Sequence, residues 1–209
     1  MVLSKIVVRA FVVSAVLTFL CTLPEQAQAF SINFNLLGSE GTAVDGLTAG
    51  PVTKAGLTVT LSANVGVLNQ TGSGFGINSP GADVSDGIDK PSNVAEFVTI
   101  EFDQLVTFDQ LKLSRFTSSD EAKLTIANFS TISLNNVGTT DIYNFLTDNI
   151  VSINQSVVLA YSSGNGFGFD EFTVTTSETS AVPEPATIVL LGIGLVGLGG
   201  GYLWRRREQ

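Results

Sequence analysis

The sequence predicts an all-β protein: an antiparallel β-sandwich, jelly-roll-like, flanked by an apolar helix at each end. Three observations carry this. Between residues 30 and 176 short segments alternate apolar and polar residues, the period-2 pattern of a half-buried strand. Turns rich in Gly, Asn, Asp and Ser separate these segments. No stretch between them carries the long 3.6-residue periodicity that a crossover helix would need.

Residues 1–29 come first. Lys5 and Arg9 form a positive start, residues 10–20 are mostly apolar, and Ala27-Gln28-Ala29 is a small-residue cleavage site. Together these read as a secretory signal peptide, which places the mature N-terminus at Phe30. The eleven residues 10–20 are too few to span a bilayer as an anchor. Cys21, the one cysteine of the chain, leaves with the signal, so a packed core rather than disulfides must hold the exported domain.

The domain, residues 30–176, is long enough for such a core. Residues 31–37 alternate, with Ile32, Phe34 and Leu36 on one face, and residues 56–63 repeat the pattern with Leu57, Val59 and Leu61. Residues 94–102 bring Val98, Ile100 and Phe102; residues 106–116 bring Phe108, then Leu111 and Leu113. The parity slips between Phe108 and Leu111, which predicts a bulge or short turn near Asp109 and Gln110. Residues 123–127 and 131–134 read as short strands, and residues 141–146 as one helical turn or another strand. Residues 157–161 and 167–175, joined by a five-residue loop containing Gly164 and Gly166, predict a hairpin. Residues 71–95, with five glycines and two prolines, predict a long functional or mobile loop, with Phe75 exposed on it.

Charge narrows the chemistry. Residues 30–181 carry five cations, Lys54, Lys90, Lys112, Arg115 and Lys123, against sixteen acids, a net charge of −11. Such a surface repels nucleic acid and favours divalent cations. The chain has no histidine, which removes His-based nucleophile triads and the usual zinc sites. The domain is read as non-catalytic. The enzymatic alternative is a glycan hydrolase built on paired carboxylates, for which Glu96, Glu101, Asp170 and Glu171 are the candidates. Two acidic groups suit calcium, a cation that takes oxygen ligands from several carboxylates. One is the loop Asp83, Asp86 and Asp89; the other is Asp170-Glu171 near the last strand. The EF-hand spacing is absent, because its glycine would fall at Ile88. The competing reading of both groups is solvated surface charge. A calcium ion bridging the loop acids to Asp170 or Glu171 would staple the long loop to the sandwich. Residues 167–174 resemble the closing strand of jelly-roll carbohydrate-binding modules, where an acid ahead of the strand often ligates a structural calcium. Against a sugar site, Tyr143 and Tyr161 are the only amphipathic rings of the domain.

Residues 177–185 are a spacer ending in Val182-Pro183-Glu184-Pro185. Residues 186–204 then run 19 residues without a charge, roughly 28 Å as a helix and close to a hydrocarbon core. The run is rich in glycine, with Gly197 and Gly201 at the small-xxx-small spacing of packed membrane helices. Arg205, Arg206 and Arg207, within a basic tail at residues 205–209, mark a cytoplasmic side. A Pro-Glu-Pro motif, a Gly-rich transmembrane helix and a terminal basic cluster, in this order, resemble the PEP-CTERM sorting signal of exported proteins of Gram-negative bacteria. The resemblance implies export through the secretion translocon. It further implies recognition by an exosortase, a membrane-embedded cysteine transpeptidase that cuts near the motif and passes the protein to the cell surface or matrix. The tail is then an address, later removed; the alternative is a permanent single-pass anchor. Adhesion or exopolysaccharide association is the expected role, with exopolysaccharide as partner. The same tail is associated in family naming with ice-binding proteins. Ice recognition would need a flat, regularly repeated threonine array, for which Thr58, Thr60, Thr173 and Thr175 are too few.

Overall fold

The structure is a computed structural model that describes residues 29–81, 83, 87–127, 131–136, 141–145 and 149–177. The expected signal segment (apart from Ala29), Asp86, the sorting motif, the helix at 186–204 and the basic tail lie outside the described residues. Among the described residues no helix is long and apolar enough to cross a membrane.

The alternating segments become strands with one buried face. The chain runs β1 (Ala29–Asn35), a short helix α1 (Ser39–Val44), β2 (Ala49–Lys54), β3 (Leu57–Ala63), β4 (Val67–Gln70) and β5 (Phe75–Asn78). It continues through β6 (Phe97–Phe102), β7 (Val106–Ser114), β8 (Glu121–Ile126), β9 (Ile132–Asn135), β10 (Ile142–Asn144) and β11 (Ile150–Val151). The last two strands are β12 (Ser156–Ser163) and β13 (Gly168–Ser177). One sheet has the order β1-β13-β7-β10, with β11 also on β7; a second has the order β2-β3-β6-β12-β8-β9; β4 and β5 form a separate pair. Every pairing among these strands is antiparallel. The protein is all-β, as the alternation predicts.

The buried faces of both sheets form one core. Val59, Leu61, Val98, Ile100, Leu124 and Leu159 come from the larger sheet; Ile32, Phe34, Phe108, Leu111, Phe172 and Val174 come from the smaller. Phe172 is the hub. Its ring stacks on Phe34 at 4.9 Å and on Phe108 at 6.0 Å, and meets Phe102 edge-on at 6.4 Å. Aromatic contacts of this kind add to the area they bury.

The parity slip in β7 is a bulge. The register with β13 jumps from Gln110 opposite Thr173 to Phe108 opposite Val174, leaving Asp109 as the extra residue. That residue lets Phe108 and Leu111 face the same core. Within the expected turn or strand at 141–146, Ile142–Asn144 are strand and pair with β7, while residue 146 lies outside the described residues.

Three expectations need correction. The strands expected as a hairpin at 157–161 and 167–175 do not pair: β12 lies between β6 and β8, and β13 between β1 and β7. Alternation shows that a strand has an apolar face but not which sheet it joins, and a short loop crosses between sheets as readily as it reverses direction within one. The expected loop at 71–95 contains β5, which pairs with β4, and its Phe75 is 0% exposed. Phe75 and Ile77 share the inward parity of β5, and the Phe75 ring meets Phe169 edge-on at 6.4 Å. As the alternation of residues 94–102 predicts, β6 turns Val98, Ile100 and Phe102 inward, with Phe97 and Glu101 outward.

Candidate functional site

The region that holds the acids is a folded-back segment beside the head of β13. Ile77 donates its backbone N–H to the Gly87 carbonyl at 2.8 Å, and Ile88 donates to the Phe167 carbonyl at 2.7 Å. Residues 87–89 are thereby clamped between β5 and the start of the last strand. The clamp needs glycine at position 76, where a Cβ would lie 2.2 Å from the Gly87 carbonyl oxygen.

Clamping brings three carboxylates together. Asp83, Asp89 and Glu96 each offer an oxygen, all within 4.8 Å of one another. Glu96 is 0% and Asp89 8% exposed. Ser79 organises the group, its hydroxyl donating to Glu96 Oε1 and its backbone N–H to Asp83 Oδ2. Asp89 and Glu96 are linked twice: the Asp89 N–H donates to Glu96 Oε2 at 3.0 Å, and the Glu96 N–H donates to the Asp89 carbonyl at 2.9 Å. Asp83 Oδ1 is buried without a hydrogen-bond partner.

The electrostatics follow from burial. Desolvation pushes the Glu96 carboxyl from 4.5 to about 7, and the Asp83 and Asp89 charges push the same way against the Ser79 and Asp89 hydrogen bonds. Oxygens on one calcium lie about 2.3–2.6 Å from the ion, so a shared ion requires them to sit within roughly 5 Å of each other. Asp83, Asp89 and Glu96 meet that condition, and as hard oxygen donors they suit a hard divalent cation.

The expected acids are thus partly regrouped. Asp83 and Asp89 are brought together, and Asp86 lies outside the described residues. Asp170 and Glu171 are not members of this group. Asp170 is the extra residue of a second bulge, between Phe169 opposite Leu113 and Glu171 opposite Lys112. The bulge turns Asp170 inward, where it is 6% exposed, and burial raises its pKa. The Ser114 hydroxyl lies close enough to oppose that rise without completing a hydrogen bond to Oδ1. Glu171 faces Lys112 at 3.8 Å.

The third acid, Glu96, was legible only as a catalytic candidate. The missed signal was parity: Glu96 falls in step with Val98, Ile100 and Phe102, so an extended chain turns it inward with them. A second missed acid is Asp120, buried in the loop between β7 and β8, against the loop between β12 and β13. It accepts from the Thr117 N–H and hydroxyl and from the Asn165 N–H, holding that loop in place. The four threonines do not share a face, because Thr58 and Thr60 lie on β3 and Thr173 and Thr175 on β13 of the other sheet. Both tyrosine hydroxyls are engaged within the domain, Tyr143 donating to the Asn135 carbonyl and Tyr161 to that of Gly164.

Fold and site together define an all-β domain with a group of buried acids beside the head of its last strand. Its destination is written in the tail. Residues 181–207 match the family described as the PEP-CTERM protein-sorting motif, the span on which the sequence resemblance rests. The chain carries this exosortase sorting signal and is an exported protein handled at the cell envelope. No curated protein and no solved structure matches the chain.

Proposed function

We propose that this is a non-catalytic surface or extracellular-matrix protein of a Gram-negative-type bacterium, displayed for adhesion or exopolysaccharide association. The observation that carries the reading is the sorting motif at 181–207 behind a domain of sheets rather than a catalytic cleft of His or Cys chemistry. The strand order supports a jelly-roll sandwich. β1, β13, β7 and β10 in one sheet interleave with β6, β12, β8 and β9 in the other, the connectivity of two Greek keys.

In this reading the acids are structural. Asp83, Asp89 and Glu96 hold a calcium ion that fastens the segment between β5 and β6 to the head of β13. Burial and pairing argue against three of the four hydrolase candidates, since Glu96 and Asp170 are closed to a polymer and Glu171 faces Lys112, while Glu101 is exposed on β6. The test is incubation of the exported protein with exopolysaccharide from the producing cells. Retention without new reducing ends is the expected result; released oligosaccharides would overturn it in favour of the hydrolase.

A further inference from the structure

We propose that the free edge of β1 is a homotypic interface, on which a second copy of this chain adds its own β1 antiparallel to form one continuous sheet. Among the described residues β1 pairs only with β13 and ends its sheet. The direction of its unused backbone groups follows from the ladder. Leu36 donates its N–H to the Asp170 carbonyl at 2.8 Å, in register with the rest of the pairing. Antiparallel partners alternate between hydrogen-bonded and non-hydrogen-bonded pairs, so the N–H and C=O groups of Ser31 and Asn33 point away from β13. The Asn35 carbonyl, of the same parity, accepts from the Gly38 N–H outside the ladder at 3.0 Å, as this alternation requires.

Natural edges are usually blunted by charge, proline, bulges or shortness. Ala29–Asn35 is seven residues without a charge, a proline or a glycine. The other edges are guarded: β2 carries Gly50, Pro51 and Lys54, while β9, β10 and β11 have four, three and two residues.

Charge selects the occupant. A domain of net −11 repels its own copies over most of its surface. β1 itself brings no charge to this lane: exposed Ser31 and Asn33 lie beside half-buried Thr175 and Thr173, the Glu171 opposite Asn35 is paired with Lys112, and Asn33 already bonds Thr173 at 3.1 Å. Two copies can therefore approach along β1, with Asn33 opposite Asn33 on the two-fold axis. A pair so placed exchanges two N–H···O bonds, with Cα atoms about 5.5 Å apart, inside the range a disulfide spans.

The test uses the exported protein extracted from the cell surface, with Cys21→Ser so that any chain retaining its signal adds no thiol. Asn33→Cys is expected to give disulfide-linked dimers on mild oxidation, and Ser133→Cys, exposed on β9, is expected to stay monomeric. Light scattering of the uncrosslinked protein should show twice the mass of the exported chain, and Asn33→Lys should halve it while leaving the far-ultraviolet circular dichroism of the folded domain unchanged. A monomer at all concentrations would overturn the proposal. So would equal crosslinking at both cysteine positions, or a dimer that survives Asn33→Lys and so forms elsewhere on the chain.

Discussion

Asp89 and Glu96 hold each other by two hydrogen bonds, the Asp89 amide to Glu96 Oε2 at 3.0 Å and the Glu96 amide to the Asp89 carbonyl at 2.9 Å. The exchange fixes the Glu96 carboxylate beside two further acids in a dry place. The cost of that arrangement is like-charge repulsion, and the first two predictions turn on how it is relieved.

Calcium should stabilise the domain. A cation bound only by the folded state adds RT ln(1 + [L]/Kd), about 2.7 kcal/mol at a hundredfold excess over Kd. For a domain of this size that raises the melting temperature by roughly 5–10 °C. Asp89→Asn should abolish the rise, whereas Asp170→Asn, outside the group, should leave it. Identical melting curves in millimolar calcium and in chelator would show that these acids bind no ion.

With chelator present, stability should fall as pH rises from about 5 to 7. Glu96 is raised from 4.5 to about 7, so within that window the folded chain binds more protons than the unfolded one. Under linkage, stability then decreases with rising pH and levels off above the folded value. Burial raises Asp170 as well, a contribution of the same sign. Urea titrations at several pH values should show the decline for wild type and a flatter profile for Glu96→Gln. A wild-type profile that is flat or rises with pH would place Glu96 in a solvated site.

The crossing loop depends on Asp120 and Gly164. A Cβ at Gly164 would lie 2.1 Å from Asp120 Oδ1, and the residue sits at φ +99°. Asp120→Ala removes three hydrogen bonds whose donors, on exposed Thr117 and Asn165, can turn to water, a loss of about 1–3 kcal/mol. Gly164→Ala should cost a similar amount. Chemical denaturation reads both, and wild-type stability in either variant would mean that the loop relaxes freely.

Phe172→Ala should be the most damaging core substitution. It empties a fully buried site against Phe34, Phe102, Phe108 and Phe169, and truncations of this kind cost about 3–5 kcal/mol. Against a total stability of about 5–15 kcal/mol, much of the variant would be unfolded at growth temperature. Soluble yield and near-ultraviolet circular dichroism would register the loss.

The sorting motif predicts a processed product. Intact-mass measurement of surface-extracted protein should find a chain ending near Pro183–Pro185, and replacing Glu184 with alanine should leave the unprocessed form in the membrane. A surface form that retains Arg205, Arg206 and Arg207 would make the tail a permanent anchor.

The sequence by itself determined the strand class, the inward face of most strands, an irregularity near Asp109 and Gln110 and the sorting tail. Each is local: period-2 alternation, a one-residue parity slip and a contiguous motif are all visible within a few residues. Glu96 was equally visible by parity, but nothing local marked Asp83 and Asp89 as its neighbours. Only the tertiary structure decided that, by clamping Gly87 and Ile88 between β5 and Phe167. It also decided that β12 and β13 belong to different sheets, and that Ala29 faces Ser177 so that the domain begins and ends on neighbouring strands. A strand's apolar face is satisfied by any complementary face across the core, so pairing is a property of the whole packing and not of the segment.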